Sequence, residues 1–167
     1  TPNTIFEEKL ATFMSSDAFN QNAAAGFIEL YTLQMRLAQR AERTVLLSIG
    51  KQNNKVKLLP EAKKFKAMDY KIYATHHTHE FLKRNGVEAI EVNKISEPNL
   101  KPNLKDLLDA NRFDLIINIP TNRENGKARE KTDGQVIREK AIAHNVLLIT
   151  NTAVAKSMVE KLQAARV

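Results

Sequence analysis

Lysines and threonines at the ends of apolar runs are the first feature of this chain that could do chemistry. Lys55 lies beyond Val45-Leu46-Leu47-Ser48-Ile49, Thr75 and Thr78 follow Ile72-Tyr73-Ala74, Lys94 follows Val92, and Asn118 stands inside Ile116-Ile117-Asn118-Ile119. A threonine where a strand feeds a helix offers its hydroxyl beside the free backbone N–H groups of the first turn, a combination that holds a phosphate or carboxylate. A lysine adds compact positive charge. Taken singly, each residue has a plainer reading: such a threonine caps its helix and such a lysine sits in solvent. Five of them converging on one edge of one sheet point to an anion site. Thr121 and Asn122 open a polar stretch, Thr121 to Thr132, whose only apolar residue is Ala128. Its place after the fourth strand, at the edge where open α/β sheets put ligands, adds both to the candidate site.

His76, His77 and His79 put three imidazoles in four residues and raise the question of a metal. No carboxylate or thiol is assigned to complete a coordination set, so they are read as lining a ligand mouth, and neither metal nor cofactor is expected. No catalytic residue is assigned. Glu97, in the loop after the third strand, is followed by Pro98 and reads as a surface residue.

The elements that must position these groups follow from periodicity. From residue 44 onward, short apolar runs alternate with helical stripes, the signature of βα units building a parallel sheet. Five strands are expected: Thr44 to Ile49, Tyr70 to Ala74, Glu88 to Val92, Asp114 to Ile119 and Val146 to Thr150. Between them, Leu58, Ala62 and Phe65 form one helical stripe, Leu104, Leu107 and Leu108 a second, and Ala155, Met158, Val159 and Leu162 a third. A helix from Asp133 to His144 turns Val136, Ile137 and Ala141 inward, and Gly86 reads as the C-cap of a short helix carrying Phe81 and Leu82.

Residues 1–43 fall outside this alternation and read as a helical segment preceding a domain of residues 44–167. Phe6, Leu10 and Phe13 make one stripe, and a longer helix from Ala23 to Arg43 carries Phe27, Ile28, Leu30, Tyr31, Leu33, Met35 and Leu37. So wide a stripe calls for more than one apolar partner: the α/β domain, a second copy of the chain, or the remainder of a larger protein. With 43% hydrophobic and 27% charged residues in 167, the chain is expected to fold as one ordered domain with an accessory segment. The absence of cysteine excludes disulfides and thiolate chemistry, and a cytoplasmic location is the expectation. No apolar run is long enough to span a bilayer. The net charge of +7 suits phosphorylated metabolites, acidic surfaces or nucleic acid. No aromatic residues interleave the scattered basic ones as a single-strand platform requires, so nucleic acid is not expected.

The runs quoted above, together with Lys71-Ile72-Tyr73-Ala74-Thr75-His76-His77-Thr78, Val92-Asn93-Lys94, Asn118-Ile119-Pro120 and Gly134-Gln135-Val136-Ile137-Arg138, resemble in order and spacing the methylglyoxal-synthase-like domain. The resemblance is strongest to the C-terminal allosteric domain of the carbamoyl-phosphate synthetase large chain, part of an ATP-dependent ligase of pyrimidine and arginine biosynthesis. It implies a three-layer α/β/α sandwich around a five-stranded parallel sheet of order 3-2-1-4-5. It also implies that Lys55, Thr75, Thr78 and Lys94 hold the phosphate of an effector such as IMP or UMP, or that threonines and asparagines hold the carboxylates of an N-acetylglutamate-like effector. The remainder of the synthetase would be the protein partner. Two alternatives stand beside this reading, a divergent lyase acting on a triose phosphate and a structural or oligomerising domain. The lyase reading lacks the glycine-glycine-aspartate of methylglyoxal synthase, since the stretch after the third strand is Asn93-Lys94-Ile95-Ser96-Glu97-Pro98.

Overall fold

The computed structural model describes residues 30–37, 40–121 and 132–165. Five strands form one parallel sheet: β1 (Arg43–Ile49), β2 (Tyr70–Thr75), β3 (Ile90–Val92), β4 (Leu115–Ile119) and β5 (Leu147–Ile149), in the order β3-β2-β1-β4-β5. This is the expected 3-2-1-4-5 order. Helix α1 spans residues 30–37, followed by α2 (Gln52–Ala67), α3 (His76–Arg84), α4 (Leu104–Asp109), α5 (Asp133–Ala143) and α6 (Thr152–Ala165).

The sheet has no solvent face, which is why its strands read as near-continuous apolar runs. Val45, Leu47 and Ile49 of β1 point into a core shared with Leu58, Ala62 and Phe65 of α2, Phe81 and Leu82 of α3, and Ala155, Met158, Val159 and Leu162 of α6. Leu46 and Ile116 point the other way, onto Leu104 and Leu108 of α4 and Ile137 and Ala141 of α5. Helices therefore cover both faces, and the molecule is the three-layer α/β/α sandwich the resemblance implied. Among the described residues, no helix is long and apolar enough to cross a membrane.

The boundaries differ from the sequence expectation in instructive places. The helix expected to reach Arg43 is helical over residues 30–37, and Arg43 is instead the first residue of β1, paired with Tyr70. Leu30, Leu33 and Leu37 are buried in the same core as β1 and α2, while Met35 is exposed. The stripe of Phe6, Leu10 and Phe13, the part of the long helix before Leu30, and Asn122 lie outside the described residues. Gly86 comes one residue after the C-cap Asn85, with φ +75, and the bonds from Gly86 N–H to Lys83 and from Val87 N–H to Leu82 make the αL termination that glycine permits.

Candidate anion-binding cleft

The parallel sheet delivers three polar side chains to the same level at its carboxyl edge. Ser48 of β1 stands in register with Asn118 of β4, and Thr75 ends β2. They bond to one another: the Thr75 hydroxyl lies 3.2 Å from Ser48 Oγ, and Asn118 Nδ2 donates to the Ser48 carbonyl at 3.4 Å. Thr75 is the N-cap of α3, yet its side chain makes no cap. The first-turn N–H groups of α3 are thereby left for another acceptor. Thr78 has a different task, because its buried hydroxyl accepts from Ile49 N–H at 3.0 Å and lies 3.4 Å from the Ile49 carbonyl. It locks the first turn of α3 to the end of β1.

A cleft of about 430 Å³ opens above this edge, and Lys55, Thr75, Thr78, Lys94, Asn118 and Thr121 all line it. Six of the seven sequence-derived candidates are thus brought together. Sequence reasoning missed Ser48, Lys51 and, most consequentially, Arg138, which reaches from α5 to donate to Asn118 Oδ1 at 2.8 Å. Arg138 stands four residues after Gly134, so one helical turn returns its side chain to the α5 N-terminus. A Cβ at Gly134 would lie 3.2 Å from its guanidinium. The signal was present in the Gly134 to Arg138 run, but no role could be attached to it without the bond to Asn118.

Among the described residues, four cationic side chains line the cleft, Lys51, Lys55, Lys94 and Arg138, against one carboxylate, Asp133. The environment is suited to an anion. Burial, and secondarily the charge of Arg84, holds the Lys55 ammonium below the ordinary lysine range. An arriving anion would relieve that cost. Lys94 is exposed, but its loop is not loose: the buried Asn103 donates to the carbonyls of Lys94 and Glu97 at 2.9 and 3.1 Å, while Asn93 bonds the Pro102 carbonyl.

The histidines stand at the rim. His76 bonds Glu91 of β3 through Nδ1 and has Nε2 3.2 Å from Glu80. The Glu91 hydrogen bond, then the Glu80 charge, raises its pKa above the usual histidine range.

Gly50 closes the floor. Its N–H donates to the Ile119 carbonyl at 2.7 Å, and a Cβ there would lie 2.5 Å from Thr121 Cγ2, 2.8 Å from the Thr121 backbone N and 2.9 Å from the Ile119 carbonyl. Two of these three atoms are backbone and cannot simply rotate away. Gly50→Ala is therefore expected to lower stability by about 2 kcal/mol, within the range for forced overpacking, as read by urea unfolding. An unchanged midpoint would contradict the close approach.

Residues 57–150 match the MGS-like domain family. The chain belongs to that family. Curated relatives include the carbamoyl phosphate synthase large chains of Agathobacter rectalis, 38% identical over 115 residues, and Archaeoglobus fulgidus, 36% identical over 123 residues; these cover 69% and 74% of this chain. The C-terminal section of the large chain of Methanopyrus kandleri is 35% identical over 125 residues, 75% of this chain. The chain spans only 10%, 11% and 22% of those three relatives. Among solved structures, methylglyoxal synthase from Elizabethkingia anophelis superposes with a TM-score of 0.53 at 16% identity, covering 71% of this chain and 77% of that one. At that identity the likeness speaks for the MGS-like fold alone.

Proposed function

We propose that this MGS-like domain is the effector-binding, allosteric domain of a carbamoyl-phosphate synthetase large chain, residues 44–167 forming the regulatory domain and residues 1–43 a helical segment before it. The effector is a phosphorylated nucleotide or a small carboxylate, held at the carboxyl edge of the sheet. The observation that carries the reading is the convergence of Lys55, Lys94 and Arg138 on one cleft beside the uncapped first turn of α3. Lys55, Thr75, Thr78, Lys94, Asn118, Thr121 and Asn122 are the proposed binding set. Thr78 and Asn118 serve chiefly by shaping it, since their side chains are engaged with Ile49, Ser48 and Arg138.

The lyase alternative needs a carboxylate base free in the cleft. Among the described residues, Asp133 is the carboxylate lining the cleft, and its Oδ2 accepts from Ile95 N–H at 3.4 Å, tying it to the loop after β3. Incubation with dihydroxyacetone phosphate separates the readings, because formation of methylglyoxal overturns the regulatory one.

The direct test is a thermal-shift screen with IMP, UMP and N-acetylglutamate. A specific effector present at 100 times its Kd stabilises the fold by about 2.7 kcal/mol. Flat curves for all three favour a structural or oligomerising role. With the effector in hand, Lys94→Glu is expected to weaken binding at least about tenfold, or about 1.4 kcal/mol, while moving the unliganded midpoint no more than an ordinary surface substitution. Lys161→Glu, on α6 away from the cleft, is the control. Equal losses in both variants would place the anion elsewhere.

A further inference from the structure

The expectation of no metal passed over Glu80, which follows His79 directly in the sequence, and did not include Glu91, which only the fold brings to His76. Glu80 lies one turn after His76 on α3, and Glu91 arrives from β3 because it is in register with Ala74 of β2.

We propose that His76, His77 and Glu80 form a rim site for a divalent transition metal of the zinc class, with Glu91 as the outer partner of His76. One ligand atom from each of the three residues lies within 4.8 Å of the others. Metal bonds of about 2.0–2.2 Å in a tetrahedral set place ligand atoms roughly 3.3–3.5 Å apart, so only a small inward rotation is required. His76 Nε2 and Glu80 are already close to that spacing, at 3.2 Å. His77 is exposed and, among the described residues, neither of its ring nitrogens has a hydrogen-bond partner, so its rotation disturbs only the tilted ring contact with His76, centroids 5.1 Å apart.

The independent support is the second bond of His76. A histidine that ligates a metal through one nitrogen typically donates its other N–H to a carboxylate, which fixes the tautomer and the ring plane. The Nδ1 of His76 is on Glu91, leaving Nε2 directed at Glu80 and the proposed ion. Charge agrees with this arrangement. Glu80 and Glu91 balance a dication, and among the groups acting on His76 the charge of Lys94 is the smallest, opposing contribution. His79, 4.0 Å from Glu91 through Nδ1, is not among the three residues whose ligand atoms gather. Two imidazoles and one carboxylate suit zinc and its neighbours over the all-oxygen preference of magnesium or calcium. Three protein ligands leave a coordination position open at the cleft mouth, which His76 and His77 also line.

The site stands apart from the effector reading, so its test uses metal alone. The full chain, freed of any polyhistidine tag, is titrated with Zn2+ against a chromophoric chelator, with Mg2+ in parallel. Co2+ is then added to look for the intense visible absorption of tetrahedral coordination. One equivalent of Zn2+ is expected to bind, Mg2+ is not, and His77→Gln and Glu80→Gln are each expected to weaken Zn2+ at least about tenfold. His144→Gln, at the far end of α5, should bind like the parent. Thermal unfolding without metal confirms that all three variants fold. The proposal is overturned if the parent chain binds no stoichiometric Zn2+, if both His77→Gln and Glu80→Gln retain full affinity, or if His144→Gln loses as much as they do. In any of these cases the cluster is a set of ion pairs around His76.

Discussion

Asp114→Ala is expected to destabilise the domain by about 3 kcal/mol and to leave the cleft's ligand affinity intact. Asp114 is fully buried just before β4, at the amino edge of the sheet opposite the cleft. Its Oδ1 accepts from Arg36 Nε at 3.2 Å and from Arg40 at 2.7 Å, and its Oδ2 accepts from Thr44 N–H at 2.9 Å. The same arginines bond the Asn111 side chain and carbonyl at 2.8 and 2.7 Å. One carboxylate therefore ties the end of α1 to the start of β1. Removing one partner of a buried ion pair costs about 3–5 kcal/mol. The lower end applies because the arginine side chains are 22% and 30% exposed and recover water. For a chain of this size, that is a fall in Tm of about 6–12 °C. Ligand affinity, measured below the new midpoint, should match the parent. A Tm within about 2 °C of the parent would mean that the latch contributes little; a loss of affinity would mean that the two edges of the sheet are coupled.

That latch also explains where the sequence misled. Nothing in Arg40-Ala41-Glu42-Arg43 is a helix breaker, and extending the preceding helix through it is the local preference. Tertiary bonds decide otherwise, since Arg36 and Arg40 are committed to Asp114 and its neighbours, and Arg43 joins the sheet beside Tyr70. The strands were legible for the opposite reason. Val45 to Ile49 and Leu115 to Ile119 are buried on both faces, and burial writes itself into composition.

The site was legible to the extent that it depends on strand ends. Position after a strand is a sequence property, and it found Lys55, Thr75, Lys94 and Thr121. It did not reveal which way a hydroxyl turns: Thr78 faces Ile49, and Thr75 faces Ser48 instead of capping α3. Nor did it find Arg138 or Glu91, whose parts depend on contacts across 20 residues to Asn118 and 15 residues to His76. These follow from sheet order and helix rotation, which come into being only with the fold.

Neutralising both cleft lysines, Lys55→Met with Lys94→Met, is expected to weaken an anionic effector at least about a hundredfold, or about 2.7 kcal/mol. Each charge-assisted hydrogen bond to a phosphate or carboxylate contributes about 1.5–3 kcal/mol, so two losses reach that figure without further assumption. Stability is expected to move in the other direction. Burial holds the folded-state pKa of Lys55 below its unfolded value, so at neutral pH the folded chain carries a charge that the unfolded chain solvates better. For a lysine shifted in this sense, the destabilisation is fully present below the lowered folded-state pKa, neutral pH included, and fades as pH rises from there to the ordinary lysine value of the unfolded chain. Methionine keeps the aliphatic stem without the charge, so the unliganded double variant should unfold at a midpoint equal to or above that of the parent. Unfolding in urea without ligand and calorimetric titration with IMP, UMP or N-acetylglutamate, whichever the screen selects, read the two quantities independently. A fall in stability that tracks the loss of binding would assign the lysines to the fold instead. Unchanged affinity would show that the anion is held without them, leaving Arg138 and the first turn of α3 to carry the site.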